Sequence, residues 1–256
     1  YLYDKENLSL VVTIISMLLA IYFSSRVERQ EQVFKGDSST FKQVFEQFTQ
    51  IKENPLIRNF IFYAFIWTCL STALWFFQLE IINNFTNDSA VKTQIFGRAD
   101  SMVPIITLAT QLLLTSYFLS SKYLGIRFVL TMYGVLFTVA FLGVSGYFSE
   151  YLLSASGITL FLILQGTMRP FEYGLNKPAR EAVFTTLSTK EKYKSTVFID
   201  TFTNRFGDAA GGLLFNSLLS FGLLLYAAPL AIIPLAIFLI NLGWSISKDI
   251  DPVNSK

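Results

Sequence analysis

Charged side chains interrupt one stretch of an otherwise apolar sequence, between Gln165 and Gly212. The charged residues there that could do chemistry are Arg169, Glu172, Lys177, Arg180, Glu181, Asp200, Arg205 and Asp208. Guanidinium and ammonium groups bind anions, whereas carboxylates bind cations or take up a proton. Charges in an apolar setting are unfavourable, so they persist where they face a cavity, an opposite charge or water. We therefore expect this stretch to carry the function.

The composition indicates a membrane protein. Hydrophobic residues make up 52% of the 256 residues, charged residues 15%, and the mean hydropathy is +0.48. Cys69 is the only cysteine, and the sequence contains no histidine. These counts exclude a disulfide framework, the usual zinc sites and a histidine-dependent triad. We therefore predict a protein that is not an enzyme and that binds no metal or cofactor.

Apolar runs long enough to cross a membrane recur along the chain, each crossing needing roughly 20 helical residues. The candidates are Leu8–Ser24, Leu56–Ile82, Ser101–Ser121, Gly125–Phe148, Leu152–Thr167, Arg205–Leu225 and Tyr226–Ile246. The predicted fold class is all-α, a polytopic membrane helical bundle of about seven spans.

The basic residues predict an orientation. With these spans, all but Lys5, Lys92 and Arg98 of the 20 basic residues lie on the side of the C-terminus. Because Lys and Arg concentrate in short cytoplasmic loops, the N-terminus of the chain is expected outside and the C-terminus in the cytoplasm. The expected location is a bacterial inner membrane or an organellar membrane.

The segment 25–55 between the first two spans is predicted to be a cytoplasmic linker. Within it, Phe41, Val44, Phe45, Phe48 and Ile51 recur at helical spacing. Such a stripe is typical of a helix lying along the membrane interface. Packing of the stripe against the ends of neighbouring spans is an equal alternative.

The charged stretch is predicted to consist of broken helices. Pro170 and Pro178 are expected to interrupt the chain after the fifth span. Ser188 and Glu191 have the spacing of a capping box, so we predict one helix from there to about Phe221.

One face of that helix is polar. Its members, at intervals of three or four residues, are Thr201, Arg205, Asp208, Gly212 and Asn216. We predict that this stripe faces the bundle. The small residues at positions 209–212 would let a neighbouring helix approach closely.

Simple pairing is the alternative role for several charges. Arg205 and Asp208 are three residues apart, as are Arg169 and Glu172. In each case the two opposite charges could compensate each other and have no further role. Isolated polar residues in the spans are expected to form hydrogen bonds between helices and not to bind ligands. They are Gln78, Gln111, Gln165 and Asn241.

Several short motifs in the charged stretch resemble one transporter family. The motifs are Glu172–Glu181, Phe184–Ser188, Glu191–Lys194, Phe198–Asp200 and Arg205–Asp208. They are similar to the ATP/ADP translocase family of plastids and intracellular bacteria, above all to its broad bacterial branch, which often has Pro-Ala-Arg-Glu and then Arg-x-Gly-Asp in these places. The motif likeness covers about fifty residues.

Members of that family are nucleotide antiporters with a major-facilitator-like fold of twelve spans. The resemblance implies that this chain is the C-terminal half, equivalent to spans six to twelve. Residues 1–24 would then be span six, 25–55 the central linker, 56–247 the six-span half and 248–256 a cytoplasmic tail. The chain begins at Tyr1 without a methionine, and we expect it to be a fragment whose N-terminal half precedes it or is another subunit.

One position departs from the nucleotide-exchanging members. They have a Gly-Lys-Ser-Gly-Gly-type sequence where this chain has residues 207–211, with Asp208 in place of the lysine. A lysine suits a phosphate, whereas a carboxylate repels one unless it is protonated or paired with Arg205. A cation-coupled or proton-coupled carrier of another solute suits an acidic residue in a cavity at least as well.

The leading hypothesis is a secondary carrier that moves a nucleotide or another small anionic solute by alternating access. Its expected partners are the lipid bilayer, the solute and the N-terminal half, with no nucleic acid. Substrate binding is assigned to Arg169, Lys177, Arg180 and Arg205, and coupling or gating to Glu172, Asp200 and Asp208. The alternative is a membrane scaffold or interaction subunit of a larger complex that retains the transporter fold without transport.

Overall fold

The computed structural model describes residues 54–120, 125–149 and 157–254. The chain divides into two compact units, Tyr1–Lys42 and Gln43–Lys256, and the described residues belong to the second. The predicted span Leu8–Ser24 and the predicted helix of the linker lie outside the described residues.

The described residues form α-helices and short π-helices, and they include no strand. The elements are α1 (Pro55–Phe85), α2 (Ser89–Thr110), π1 (Gln111–Thr115), α3 (Ser116–Ser120), α4 (Gly125–Phe148), α5 (Gly157–Phe171), π2 (Glu172–Asn176), α6 (Lys177–Phe184), α7 (Thr189–Phe198), π3 (Ile199–Thr203), α8 (Asn204–Ser220) and α9 (Ala227–Asn254). The all-α prediction is confirmed for this part of the chain.

Among the described residues, four helical segments are long and apolar enough to cross a membrane. They are Pro55–Phe85, Ser89–Leu119, Gly125–Phe148 and Ala227–Ile246. They match the predicted second, third, fourth and seventh spans and indicate a membrane protein. The helices α5 and α8, with 15 and 17 residues, are shorter than a usual crossing. The spans Leu152–Thr167 and Arg205–Leu225 stay predictions.

Helix starts follow from local side-chain chemistry. Asn54 caps α1 by accepting a hydrogen bond from the Leu56 N–H at 3.0 Å. Ser188 and Glu191 form the predicted capping box at the start of α7. From there α7, π3 and α8 form one helical run to Ser220, which confirms the predicted single helix.

The predicted helix breaks at two prolines are wrong. Pro170 lies inside α5, and the helical run continues through π2 into α6, where Pro178 occupies the first turn. A proline removes one backbone donor and clashes with the preceding turn. The π-helical turn before Pro178 widens the backbone there, and this accommodates the proline without ending the helix.

Helix α1 is the centre of the bundle, since α4, α5, α8 and α9 all contact it. Fully buried aromatic side chains fill the space between these helices, among them Tyr63, Phe77 and Phe137. Helix α8 packs closely because a Cβ at Gly207 would lie 2.8 Å from the Phe65 carbonyl oxygen. The predicted close approach at positions 209–212 is confirmed at Gly211, where a Cβ would lie 2.9 Å from the Thr72 Cβ.

Candidate functional site

In the part of the chain that the structure describes, two cavities border the charged stretch. The larger cavity, of about 420 Å³, has Trp67, Gln78, Asp100 and Arg169 among its lining residues. The smaller cavity, of about 180 Å³, is lined by Lys177, Arg180, Glu181 and Asp200, among others. Trp67, Glu172 and Tyr173 line both. These three side chains therefore lie between the cavities.

An ion pair occupies this boundary. The Nη2 of Arg180 lies 3.2 Å from the Oε1 of Glu172, and the two side chains are only 13% and 10% exposed. The Nδ2 of Asn176 donates a 2.6 Å hydrogen bond to the other carboxylate oxygen of Glu172. Because the charges are buried, each depends on the other for its compensation.

Aromatic residues surround the ion pair. The guanidinium carbon of Arg180 lies 4.2 Å from the centre of the Trp67 ring, within cation–π range. The Trp67 Nε1–H donates a 3.0 Å hydrogen bond to the Tyr133 hydroxyl. The Tyr63 hydroxyl lies 3.1 Å from the Oδ1 of Asn176. We call Tyr63, Trp67, Tyr133, Glu172, Asn176 and Arg180 the central network. It joins α1, α4, π2 and α6 through hydrogen bonds, an ion pair and a cation–π contact.

The position of Glu172 depends on the π-helix that it begins. The Lys177 N–H bonds to the Glu172 carbonyl, five residues back, and Pro178 has no N–H. The carbonyl of Tyr173 thus loses its α-helical donor, Lys177, and that of Gly174 loses Pro178. The Gly174 carbonyl, which belongs to a buried residue, and the Tyr173 carbonyl, which belongs to an exposed one, therefore need partners from elsewhere.

The helix π1 supplies those partners. The Gln111 Nε2 donates to the Tyr173 carbonyl at 3.1 Å. The Thr115 hydroxyl donates to the Gly174 carbonyl. Both donors belong to π1, so the two π-helices interlock. A Cβ at Gly174 would lie 2.7 Å from the Cγ2 of Thr110, which explains why glycine occupies this contact.

The larger cavity has a second ion pair. Arg169 pairs with Asp100, and the two side chains are 43% and 61% exposed. The alternative in which Arg169 pairs with Glu172 is not what the structure shows, because Arg169 pairs with Asp100 and Glu172 with Arg180. Asp100 was not identified from sequence, although its position at the start of an apolar run was a usable signal.

Glutamines cross-link the helices beside this pair. The Gln165 Nε2 donates a 2.5 Å hydrogen bond to the Oε1 of Gln78, and both side chains are buried. Gln165 also accepts from Arg169 at 3.4 Å. The predicted interhelical role is confirmed for Gln78, Gln111 and Gln165.

Among the other predicted residues, Lys177 and Asp200 lie at the smaller cavity. The Asp200 carboxylate accepts a 3.3 Å hydrogen bond from the Asn204 side chain. Asp200 belongs to π3, so π2 and π3 both contribute lining residues to this cavity. These two residues are near the central network without being part of it.

Arg205 and Asp208 form the pair that was the alternative to a functional role, with 3.7 Å between the Arg205 Nη1 and the Asp208 Oδ2. They are not among the lining residues of the two cavities. Asp208 also accepts a 2.8 Å hydrogen bond from the hydroxyl of Thr72, which lines the larger cavity. Asp208 is therefore one contact away from that cavity.

The polar stripe lies at the edge of the face that packs on α1: Asp208 bonds to Thr72 of α1, and a Cβ at Gly212 would lie 3.3 Å from the Phe76 ring. Thr201, Arg205 and Asn216 are exposed. The buried positions are Gly207, Gly211 and Phe215. Glycine permits the closest helix approach, so the glycine face meets α1 and leaves the charges at its edge.

Several members of the central network gave no sequence signal. Trp67, Tyr63 and Tyr133 are aromatic residues in a chain in which 16% of residues are aromatic. Their partners lie on other helices, so no spacing in the sequence reveals them.

The chain matches no known family model, no curated protein and no solved structure in the three comparisons made. The resemblance to the ATP/ADP translocase family accordingly stays a prediction.

Proposed function

We propose that this chain is half of a secondary carrier that moves a small solute by alternating access, with an ATP/ADP translocase-like arrangement of spans. The observation that carries the proposal is the buried Glu172–Arg180 pair between two cavities. Ionisable groups within a membrane bundle that border a cavity are typical of substrate or ion pathways.

The two cavities lie at successive levels along α1. The smaller is lined from Phe60 to Trp67 and the larger from Trp67 to Gln78. At 1.5 Å rise per residue, these stretches span about 10 and 16 Å along the helix axis. With the predicted orientation, the smaller cavity is nearer the cytoplasm. A rearrangement of the side chains between them would expose the solute to one side and then to the other.

A carrier of this kind needs a second half to cover the cavity. In this proposal the N-terminal half, in the same polypeptide or in another subunit, faces the larger cavity. The bilayer surrounds the remaining apolar surface, which includes Ile105, Leu112 and Leu113 of the α2–π1 segment, each at least 70% exposed. The membrane would be a bacterial inner membrane or an organellar one.

Replacing Asp208 with asparagine tests the coupling role within this proposal. The substitution keeps the shape of the side chain but removes the charge that Thr72 and Arg205 contact. A hydrogen bond to a charged group contributes about 1.5–3 kcal/mol, so uptake into vesicles by the complete protein should fall roughly tenfold to a hundredfold if the charge acts in the rate-limiting step.

Asp88→Asn is the matched control. Asp88 caps α2 by accepting from the Ala90 N–H at 2.8 Å, and asparagine caps helices about as well as aspartate. Uptake by this variant should equal that of the unmodified protein. Unchanged uptake in Asp208→Asn would remove Asp208 from the mechanism.

A further inference from the structure

We propose that the larger cavity binds a zwitterionic solute with an apolar or aromatic body, of the amino-acid kind. This inference rests on the proposed carrier function and names the solute class for the same site. It replaces the polyanionic solute that the family resemblance implies.

The charges that line the larger cavity argue against a polyanion. They are one guanidinium, of Arg169, and two carboxylates, of Asp100 and Glu172. Arg169 already pairs with Asp100, and Arg180 with Glu172. To bind Arg169, a nucleotide phosphate would have to displace the Asp100 carboxylate and would then lie beside that unpaired negative charge. Repulsion between the phosphate and a neighbouring carboxylate would disfavour binding.

A zwitterion fits the same charges without this conflict. Its carboxylate can take the place of Asp100 on Arg169, while its ammonium group takes the place of Arg169 on Asp100. The pair is 43% and 61% exposed, so water already reaches both groups and separating them costs little. The Glu172–Arg180 pair, 13% and 10% exposed, would stay intact.

The rest of the lining suits an apolar body. Trp67, Trp75, Tyr133 and Phe137 provide aromatic surface, and Leu164 adds an aliphatic side chain. Aromatic rings stack on other rings and attract ammonium groups through their faces. Ligand pockets of this kind combine mostly apolar walls with a few placed polar groups, and about 420 Å³ lies within their usual range of volumes.

Four probes separate the possible charge classes. Phenylalanine is the zwitterion; phenethylamine and 3-phenylpropanoate keep its ring but carry only the ammonium or only the carboxylate; ADP is the polyanion. A ligand that binds the native state raises its apparent stability. In thermal-shift titrations of the complete protein, phenylalanine should stabilise it with at least tenfold higher affinity than any other probe.

Two variants should change the preference in opposite directions. Asp100→Asn removes the partner of the ammonium group and should reverse the order of phenethylamine and 3-phenylpropanoate in favour of the anion. Arg169→Gln should favour the cation. A purely structural role for the pair would lower the melting temperature without changing the order of the probes. Arg98→Gln, an exposed change two residues from Asp100, is the control and should leave the order unchanged.

The outcomes separate this inference from the carrier proposal. Tightest binding by ADP or 3-phenylpropanoate, or no stabilisation by phenylalanine up to about 10 mM, tenfold above a weak Kd of ~1 mM, would overturn the zwitterion inference. Uptake of an anion into vesicles in that case would leave the carrier proposal standing. Binding of phenylalanine with the predicted change in the variants, but without uptake of any probe, would support the site and contradict transport.

Discussion

Arg180→Met lowers the free energy of unfolding by about 3–5 kcal/mol, because it leaves the Glu172 carboxylate buried without its partner. The Arg180–Glu172 distance is 3.2 Å, and both side chains are largely buried. Methionine preserves most of the side-chain volume beside Trp67, so the loss reports on charge and not on packing. Thermal or denaturant unfolding of the purified protein in a mild detergent measures the effect.

The same substitution at Arg205 is the matched control. That residue also pairs with a carboxylate, Asp208, at 3.7 Å, but its side chain is 80% exposed. Exposed pairs contribute about 0–1 kcal/mol, so Arg205→Met should have little effect on unfolding. Adding Glu172→Gln to Arg180→Met should recover much of the stability, since the unpaired charge is gone. Equal effects at positions 180 and 205 would contradict the account of the buried pair.

Thr115→Val lowers the free energy of unfolding by about 1–3 kcal/mol, the usual effect of leaving a buried acceptor unsatisfied. Its hydroxyl donates to the Gly174 carbonyl, which has no α-helical donor because Pro178 lacks an N–H. Valine is close to threonine in shape, so the change removes the hydrogen bond and little else. The same unfolding assay measures the loss.

Thr107→Val tests whether the effect is specific to the interlock between the π-helices. Thr107 lies in the same helical run, but its hydroxyl bonds only to the Val103 carbonyl of its own helix. That carbonyl is four residues back and accepts a backbone N–H in any case. The control should change stability by about 0.5 kcal/mol or less. A loss at Thr115 no greater than that at Thr107 would show that the interlock contributes nothing.

The parts of the fold that follow from local patterns were predicted from the sequence. Apolar runs located four helices that can cross a membrane. The capping box at Ser188 located the start of the run that ends at Ser220. The Arg205–Asp208 pair also follows from a local pattern, because both residues lie on one helix at a spacing of three.

The predictions that were wrong concern contacts between helices, which no local pattern in the sequence reveals. A proline removes a backbone donor and usually interrupts a helix, but here side chains of π1 donate to carbonyls just before Pro178 and the helical run continues. Arg169 and Glu172 have the spacing of a pair, but each finds a better partner on another turn or another helix. The structure brings the predicted site residues Lys177, Arg180 and Asp200 together at the smaller cavity. The aromatic side chains that line the same cavity could not be predicted from the sequence.

The most direct test of the carrier proposal is the access of water to the two cavities. Cys69 is the only cysteine, so Cys69→Ala provides a cysteine-free background. Ser71→Cys then reports on the larger cavity and Thr196→Cys on the smaller one. Asn87→Cys, in the short exposed link between α1 and α2, is the control. Each variant is labelled in vesicles with a membrane-impermeant maleimide, with and without phenylalanine, 3-phenylpropanoate or ADP.

Alternating access predicts labelling of the two cavity positions from opposite sides of the membrane. It also predicts that at least one of the three solutes raises labelling at one position while lowering it at the other, and that Asn87→Cys is labelled equally throughout. Labelling of both cavity positions from the same side, or labelling that none of the solutes changes reciprocally, would contradict the carrier proposal and favour a membrane scaffold.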